Sequence, residues 1–415
     1  MVSESMDNRR KFKIAIINVT AQFGSTGKIA YGMYQKLNND GYQVRLFYGR
    51  KDNIQENVDI VKIGTDNETK IHGGLARVTG LHGYFSTSAT KQLIRELEEY
   101  KPDLVQLYNL HGYYLNINLL LEYLKNKGVP TVYSMLDEFP YLGRCCYSFD
   151  CDLFKNGCEH CECSRSEYPA TFLFRWGKKF AEDKRKAYEG FNNICFVAPQ
   201  WVLERAESSY LLKGKELLCV DEYVDTEDLF YPRTEYHKLP DKIRNTSKKI
   251  VLTVAPYSNP RKGGKYFLEA ARRFLNDDLF LFVYVGMNVQ DVDIPENCIA
   301  VGFLNDQDEL AEYYSIADVF VCTSLADTMP NVCLDALGAG TPVIGFDNTG
   351  IPYVAEEPLG KFVESENVSA LCEAIQSASK KDNSVVELCR GYAQKRYSPQ
   401  TYYRKMLEIY QKKCI

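Results

Sequence analysis

The chain has 415 residues, of which 45% are hydrophobic and 25% are charged, and its formal net charge is −5. This length exceeds what one ordinary hydrophobic core organises, so we expect two domains with a globular composition. The acidic balance excludes a broad basic field, and with it nucleic acid as the main partner. The polar amino terminus shows no signal-peptide pattern, and no apolar run reaches the roughly 18 residues of a membrane span. A cytoplasmic location is therefore expected.

Strands alternate with helices through the first half, which we assign to a domain at residues 1–200. The predicted strands are short, apolar and rich in β-branched or aromatic residues, as is typical of buried parallel strands. They read KIAIINV, YQVRLFYG, DLVQLYN, PTVYSML and NICFVAP. Helical patterns such as NLLLEYLKNKG lie between them and end at a glycine.

A glycine turn, QFGSTGKIA at 22–30, follows the first strand. A P-loop would need a glycine at Gln22 and a hydroxyl at Ile29, so the pattern fails at two positions. Gly24 and Gly27 still permit a sharp turn with close backbone approach, and the next helix points its N–H groups toward any ligand there. The alternative is a strand-to-helix turn that binds nothing.

Four cysteines lie in a loop at about 143–165 with the spacing C-x(5)-C-x(6)-C-x(2)-C. They are Cys145, Cys151, Cys158 and Cys161. Four thiolates ending in a C-x-x-C knuckle can close a tetrahedral structural zinc site. Two disulfides or free thiols are the alternatives, and Cys146, His160 and Cys163 are spare ligands.

The strand–helix rhythm restarts after the polar stretch 231–249, and we assign a second domain to 201–395. Its predicted strands are IVLTVAP, LFLFVYVG, CIAVGF, VFVCTS and TPVIGF. Two doubly wound α/β halves are the simplest interpretation. Ligands of such sheets bind outside the carboxyl ends of the strands, so the site is expected between the halves.

Two adjacent cations, Arg261 and Lys262, lie on the loop after the first strand of the second half. The planar guanidinium of Arg can donate two parallel hydrogen bonds, and the ammonium of Lys is a compact charge. Together they can neutralise a diphosphate. Taken singly, each is more often a solvated surface charge, and it is their combination at one end of the sheet that favours a nucleotide diphosphate.

The segment 323–346 reads as strand, loop, helix, glycine turn and strand, and holds Asp327 and Asp335 eight positions apart. The backbone N–H groups near Asn331 and Val332 begin the helix and can receive a phosphate. A carboxylate inside that helix, Asp335, can accept two sugar hydroxyls at once.

The combination of RKG, VGF, YYSIADVFVCTSL and D-x(7)-D followed by ALGAGTPVIGFDNTGIP resembles the donor half of retaining GT-B-fold glycosyltransferases. That family carries the signature E-x(7)-E. In the first half, LYNLHGYYLN and LDEFPYLGRCCYSFDCDLFKNGCEHC resemble a subgroup that includes bacterial colanic-acid-type transferases. The resemblance implies two Rossmann-like domains facing across a cleft, with acceptor site first and donor site second. A terminal helix at 396–415 would pack back on the first domain.

The resemblance also implies how the donor phosphates are held. Arg261 and Lys262 would bind the diphosphate and stabilise it as the leaving group, so that catalysis needs no metal or other cofactor. The acidic stretch at 291–293 would then be a solvated loop. Gly24 and Gly27 would let the first domain approach the diphosphate and the acceptor.

Four further positions match the family's donor site. Asp335 would bind the ribose, although it is one methylene shorter than the family's glutamate. Asp327 matches the first acidic position, which lies near the transferred sugar. Gly302 and Phe303 lie where the nucleobase would stack.

One position departs from the family pattern. The histidine expected at the end of a first-half strand is replaced by Leu136, and Asp137 follows it. The backbone carbonyl of residue 136 remains available near the anomeric carbon. Asp137 or His111 could supply the missing polar contact, and for His111 a packed loop residue is the alternative.

The implied donor is a UDP- or GDP-linked sugar, and the implied acceptor is a glycan or a polyprenyl-diphosphate-linked oligosaccharide of surface-polysaccharide synthesis. The basic stretches NRRKFK at 8–13 and FLFRWGKKF at 172–180 could rest on anionic headgroups at the inner face of the membrane, or could be solvated. Two other functions stay open: another GT-B enzyme, such as an epimerase or a phosphorylase, and a non-catalytic nucleotide-sugar-binding protein.

Overall fold

The computed structural model describes residues 11–161, 165–166, 168–287 and 292–414. It divides into two compact units. The N-terminal unit runs to Ala198 and also contains Val202–Val220 and the residues from Tyr403 onward, whereas the C-terminal unit contains Pro199–Trp201 and Asp221–Tyr402. The predicted boundary at residue 200 therefore lies earlier in the chain than the main observed one, at Val220.

The N-terminal unit is built on a seven-stranded sheet in the order β3-β2-β1-β4-β5-β6-β7, and all its strand pairs are parallel. The strands are β1 (Lys13–Asn18), β2 (Gln43–Tyr48), β3 (Ile60–Lys62), β4 (Leu104–Leu107), β5 (Thr131–Ser134), β6 (Ile194–Ala198) and β7 (Glu216–Cys219). The helices are α1 (Gly24–Asn39), α2 (Asp66–Thr79), α3 (Thr87–Tyr100), α4 (Ile117–Lys127), α5 (Gly177–Tyr188) and α6 (Gln200–Glu207).

The C-terminal unit repeats this plan with a six-stranded parallel sheet in the order β10-β9-β8-β11-β12-β13. The strands are β8 (Lys249–Val254), β9 (Phe280–Val285), β10 (Cys298–Val301), β11 (Val319–Cys322), β12 (Val343–Phe346) and β13 (Gly360–Val363). The helices are α7 (Asp241–Arg244), α8 (Gly264–Arg273), α9 (Gln307–Ile316), α10 (Asn331–Gly338), α11 (Val368–Ser377) and α12 (Asn383–Tyr397). Helix α13 (Pro399–Lys413) begins in this unit and belongs to the N-terminal unit from Tyr403 onward.

Apolar strands at the centre of each sheet explain this architecture. Ile14, Ile16 and Ile17 of β1 are fully buried, because helices cover both faces of a parallel sheet. The strand order reverses direction between β1 and β4 in one sheet and between β8 and β11 in the other. Such switch points open a crevice at the carboxyl ends of the strands, so each unit has one predetermined place for a ligand.

Strand β7 and the end of the chain explain the observed boundary. Cys195 of β6 pairs in register with Glu216 of β7, so the sheet of the N-terminal unit continues past residue 200. The end of α13 belongs to the same unit, where the Tyr410 hydroxyl donates a hydrogen bond of 2.8 Å to the buried Gln106 Oε1. Among the described residues, no helix has both the length and the apolar character needed to cross a bilayer.

Candidate functional site

Arg261 and Lys262 lie in a single 3-10 turn, Pro260–Lys262, on the loop that follows β8. The Asn259 side chain caps this turn by accepting a hydrogen bond of 3.2 Å from the Arg261 N–H. Gly263 follows with φ of 65°, and a Cβ there would lie 1.8 Å from the Thr323 carbonyl oxygen. Glycine is therefore required for the turn to lie against the end of β11.

Both cations point at one carboxylate, Asp327, on the loop after β11. The Lys262 Nζ lies 2.5 Å from Asp327 Oδ2, and the Arg261 Nη1 lies 3.4 Å from Asp327 Oδ1. Arg261 Nη1 also donates a hydrogen bond to the Ala326 carbonyl. The Arg261 carbonyl accepts a hydrogen bond of 2.7 Å from the Leu325 N–H. Burial raises the pKa of Asp327, but the charges of Lys262 and Arg261 outweigh it and lower the pKa below its usual value. Asp327 is therefore ionised at neutral pH.

The loop after β12 holds Asp327 from its other side. The Asp327 N–H donates to the Thr349 hydroxyl at 3.0 Å, and the Gly350 N–H donates to the Asp327 carbonyl at 2.8 Å. A Cβ at Gly350 would lie 1.7 Å from the Thr328 carbonyl oxygen. The sequence analysis gave no role to Thr349 or Gly350. The position of this Thr-Gly pair shortly after a predicted strand could have indicated a loop at the site.

Helix α10 starts at Asn331, four positions beyond Asp327. Pro330 stands at its N-cap position, where proline offers no side-chain acceptor, so the first N–H groups at Asn331 and Val332 are left to another acceptor. Asp335 lies one turn further along the helix and is half-buried. The two cations, Asp327 and the start of α10 thus all lie beyond the carboxyl ends of the neighbouring strands β8 and β11.

The predicted nucleobase positions lie just beyond β10. Phe303 is 75% exposed, so its ring is available for stacking instead of being packed in the core. The Gly302 carbonyl accepts a hydrogen bond of 3.2 Å from the Gly286 N–H, which fixes the backbone ahead of the ring. Of the acidic stretch at 291–293, Asp291 lies outside the described residues and Asp293 is exposed, with an ion pair of 3.8 Å to Arg272.

The predicted glycine turn lies at the start of α1, where Gly24 has φ of 72°. A Cβ at Gly27 would lie 2.8 Å from the Thr20 Oγ1, so this position needs glycine for packing. The Asp52 carboxylate accepts hydrogen bonds from the N–H groups of Gln22 and Phe23, at 2.8 and 3.0 Å. Two N–H groups of the turn therefore already bind an anion that belongs to the chain.

A second polar cluster lies at the carboxyl ends of β4 and β5, in the N-terminal unit. The His111 Nε2 lies 2.6 Å from Asp137 Oδ2, and the His111 Nδ1 lies 3.1 Å from the Tyr168 hydroxyl. The other carboxylate oxygen of Asp137, Oδ1, accepts a hydrogen bond of 3.0 Å from the Phe139 N–H. The structure thus brings together the two residues that could replace the histidine absent at Leu136. The spacing of these two residues in the sequence gives no sign that their side chains pair.

The buried Cys146 thiol completes this cluster. Ligand atoms of His111, Asp137 and Cys146 all lie within 4.8 Å of one another, the only such set in the part of the chain that the structure describes. Burial lowers the pKa of His111, but Cys146, Tyr168 and Asp137 outweigh it and raise the pKa well above its usual value. Imidazole, carboxylate and thiolate are all zinc ligands, so these three residues have the chemistry to hold a metal.

Lys184 of α5 supports the backbone that carries this cluster. Its Nζ donates to the carbonyls of Phe139, Leu142 and Gly143, the last two at 3.0 and 2.8 Å. Burial lowers the pKa of Lys184 to about 7 against the opposing effect of nearby anionic groups. The sequence gives little signal here, because KKFAEDKRK is typical of a solvated helix face, yet Lys184 is only 4% exposed.

The cysteines predicted to bind zinc line one cavity of about 840 Å³ in the loop between β5 and α5. They are Cys145, Cys151, Cys158 and Cys161. Among the described residues they form no disulfide and no set of three ligand atoms within 4.8 Å of one another. The structure therefore gathers the four thiols around one space without bringing them to ligand distance. Cys163 lies outside the described residues.

Residues 248–381, within the C-terminal unit, match the family described as Glycosyl transferases group 1. The putative colanic acid biosynthesis glycosyl transferase WcaC of Escherichia coli K12 is 24% identical over 282 residues. That match covers 66% of this chain and 66% of WcaC, slightly less than two thirds of the relative.

Two solved structures show the same fold over nearly the whole chain. Sucrose-phosphate synthase from Thermosynechococcus elongatus has a TM-score of 0.66 at 17% identity, covering 97% of this chain and 99% of that one. The Anabaena protein HepE, in complex with UDP and glucose, has a TM-score of 0.61 at 12% identity, covering 97% and 100%. The predicted GT-B fold of two Rossmann-like domains is thereby confirmed.

Proposed function

We propose that this protein is a retaining glycosyltransferase that moves a sugar from a nucleotide diphosphate to a glycan or lipid-linked acceptor in surface-polysaccharide synthesis. The cluster of Arg261, Lys262 and Asp327 at the β8/β11 switch point carries the proposal. It lies within the segment that matches the glycosyltransferase family, and the relative WcaC is named for colanic acid synthesis.

The charges of the cluster suit a diphosphate. Two cations face one carboxylate, which leaves a net positive charge for a ligand that carries at least two negative ones. Asp327 holds the cations in place, and the uncapped N–H groups at the start of α10 offer further donors to phosphate oxygens. When the bond to the sugar breaks, negative charge grows on the leaving phosphate, and donors already in position stabilise that charge. Protein cations do this without a metal ion.

Recognition of the nucleoside would fall to Asp335 and Phe303. The half-buried Asp335 carboxylate can accept both ribose hydroxyls, and the exposed Phe303 ring offers a stacking face. UDP or GDP fits these two contacts equally. That HepE was solved with UDP and glucose supports a nucleotide-sugar donor for the shared fold.

Retention is proposed to follow a front-face course. The sugar–phosphate bond breaks to an oxocarbenium-like sugar, the acceptor hydroxyl attacks from the same face, and a leaving phosphate oxygen takes its proton. In the N-terminal unit, the His111–Asp137 pair would supply the polar contact that the family obtains from the histidine absent here. The carbonyl of Leu136, directly before Asp137, would lie near the anomeric carbon.

A ligand screen tests the proposal. The protein is heated with UDP, GDP, ADP and their sugars, because a ligand that binds the native state raises the melting temperature. The stabilising nucleotide sugar is then incubated with membranes from a polysaccharide-producing strain, and released nucleotide and labelled glycan are measured. Transfer with an α-configured product from an α-configured donor supports the proposal. Epimerisation of the donor, or binding without turnover, would replace it by one of the two alternative functions.

The same screen tests the role of Asp335. The Asp335→Asn variant keeps the side-chain size but accepts ribose hydroxyls more weakly, so we expect nucleotide affinity to fall by about tenfold. The exposed Asp308→Asn of α9, in the same unit, is the matched control and should leave affinity unchanged. Equal affinity in the Asp335→Asn variant and wild type would remove Asp335 from the ribose site.

We also propose that the Cys-rich loop closes on one structural zinc ion through Cys145, Cys151, Cys158 and Cys161. The shared cavity and the absence of disulfides among the described residues support this, although binding requires the sulfurs to move closer together. Elemental analysis of protein purified without chelator should find about one zinc per chain. The Cys158→Ser variant should lose it, and Cys219→Ser, an exposed cysteine elsewhere, should retain it. Zinc lost instead in His111→Ala would assign the ion to the His111–Asp137–Cys146 cluster.

A further inference from the structure

Helix α2 turns an apolar stripe toward solvent. Ile71, Leu75 and Val78 follow one another at helical spacing and are all exposed, whereas His72 and Ala76 are the residues that α2 buries. A helix on the surface of a globular protein normally does the reverse, with its apolar stripe against the core. The described residues therefore leave this apolar stripe uncovered.

A second apolar segment, 172–176, is attached along the end of the same helix. The Phe172 N–H donates to the Arg77 carbonyl at 2.8 Å, and the Trp176 Nε1 donates to the Thr79 carbonyl at 2.7 Å. Gly80, with φ of 76°, permits this approach, because a Cβ there would lie 2.4 Å from the Phe174 carbonyl oxygen. Since the hydrogen bonds hold the segment against α2, the two elements form one continuous surface.

We name this the α2/172–176 surface. Its large apolar side chains are between 41% and 63% exposed. They are Ile71, Leu75, Val78, Phe172, Leu173, Phe174 and Trp176. The rings of Phe174 and Trp176 stack at 5.2 Å, so the surface is ordered instead of consisting of independent side chains. Contiguous exposed apolar patches of this kind mark interaction sites.

Cations outnumber carboxylates in the two segments that form this surface, and the acidic residues lie on flanking positions such as Glu159 and Asp183. The stretches 70–80 and 168–181 contain five cations and no Asp or Glu, in a chain whose net charge is −5. The five are Lys70, Arg77, Arg175, Lys178 and Lys179. Lys178 and Lys179 pair with Glu159 and Asp183 of flanking segments, whereas Lys70 and Arg77 are exposed on α2 itself. In the other basic stretch, NRRKFK at 8–13, residues 8–10 lie outside the part of the chain that the structure describes.

We propose that the α2/172–176 surface binds the headgroup region of an anionic lipid bilayer. Aromatic and aliphatic side chains at the centre with cations among and beside them are the composition of interfacial membrane segments, in which apolar groups enter the acyl boundary and cations contact phosphates. The locally positive charge of an acidic chain selects an anionic surface. The proposal deepens the proposed function by fixing where a lipid-linked acceptor would be met. It does not depend on sugar transfer, because lipid binding is measured without donor or acceptor.

Flotation with vesicles tests the proposal directly. The full chain is mixed with vesicles of phosphatidylcholine alone or with 30% phosphatidylglycerol, a composition rich enough in anionic lipid to attract basic residues. We expect flotation with the anionic vesicles only. The variant Ile71→Ser, Leu75→Ser, Phe172→Ser, Leu173→Ser should lose at least about tenfold in apparent affinity, since each change removes an exposed apolar group. Val58→Ser with Leu279→Ser changes two apolar residues elsewhere that are even more exposed, at 75% and 70%, and should bind as wild type.

Two further measurements show whether the α2/172–176 surface itself is responsible for flotation with anionic vesicles. Lys70→Gln with Arg77→Gln should weaken flotation and reduce its salt dependence, while a melting temperature equal to that of wild type shows that the fold is intact. Vesicles should also shift the tryptophan emission of wild type to the blue, and Trp176→Phe should abolish that shift. Equal binding to neutral vesicles, unchanged binding in the fourfold variant, or no binding at all would overturn the proposal. Self-association that the fourfold variant abolishes would identify a second copy of this chain as the occupant.

Discussion

The Lys262→Ala variant should transfer sugar at least about 10²-fold more slowly than wild type, because removing one preorganised charge from a transition state has an effect of this size. Lys262 lies 2.5 Å from Asp327 and is fixed by a turn that requires Gly263, so the charge is held in place before the donor binds. Without it, Arg261 alone balances Asp327, and no net positive charge remains for the departing diphosphate.

Two controls make this result specific. Lys242→Ala removes an equal charge from the exposed surface of α7 in the same unit and should leave the rate unchanged. Both rates are measured well below the melting temperature of each variant, so that loss of the partly buried Lys262–Asp327 ion pair does not slow the enzyme through unfolding. Turnover of Lys262→Ala near that of wild type would mean that the phosphates bind elsewhere.

The second large effect is expected at Asp137. The Asp137→Asn variant should slow transfer by about 10²-fold, an effect usual for the loss of one preorganised polar contact to the transition state. Asparagine keeps the shape of the side chain but removes the negative charge that faces His111 at 2.6 Å. The pKa of His111 should then fall, because part of what raises it is the Asp137 charge.

The same variant predicts a pH dependence of stability. The folded state raises the pKa of His111 above its unfolded value, so the protonated imidazole stabilises the fold fully at pH below the unfolded pKa. This stabilisation is lost as the pH rises through the higher folded pKa. The difference in the free energy of unfolding between wild type and Asp137→Asn should therefore be largest at acidic pH and shrink at alkaline pH.

Urea unfolding across the pH range measures that difference, and NMR titration follows the His111 imidazole directly. His237→Gln is the matched control, because His237 is exposed and its ion pair with Glu235 lies on the surface. It should leave the pH profile unchanged. A difference between wild type and Asp137→Asn that stays constant with pH would show that His111 does not titrate with the fold.

Chain order alone placed much of the candidate donor site. Apolar runs separated by helical patterns predict two parallel sheets, and the carboxyl ends of parallel strands meet at one edge. Residues on the loops after β8 and β11 therefore lie at the same edge, and the structure places these two strands side by side, so that Arg261, Lys262 and Asp327 meet. What the sequence did not reveal is that Asp327 pairs with both cations, since spacing fixes the edge but not the side-chain geometry.

The boundary between the units and the interior of the Cys-rich region depended on tertiary structure. Strand β7 reads ELLC and is partly exposed at a sheet edge, so it lacks the long apolar run that made the central strands recognisable. Lys184 lies in a pattern of charged residues typical of a solvated helix, and only the carbonyls folded around it make it a buried cation. Neither local composition nor periodicity carries such long-range information.

Helix α2 separates most clearly what the sequence determined by itself from what only the tertiary structure decided. The spacing of Ile71, Leu75 and Val78 determined that they share one helix face. Periodicity does not state whether a face is covered, because covering it requires contacts from residues distant in sequence. The tertiary structure left this face open and attached the segment 172–176 beside it. The sequence thus determined the two α/β sheets and the residues at their edges, because these follow from local pattern and chain order. Pairing and exposure were decided only when distant segments packed together.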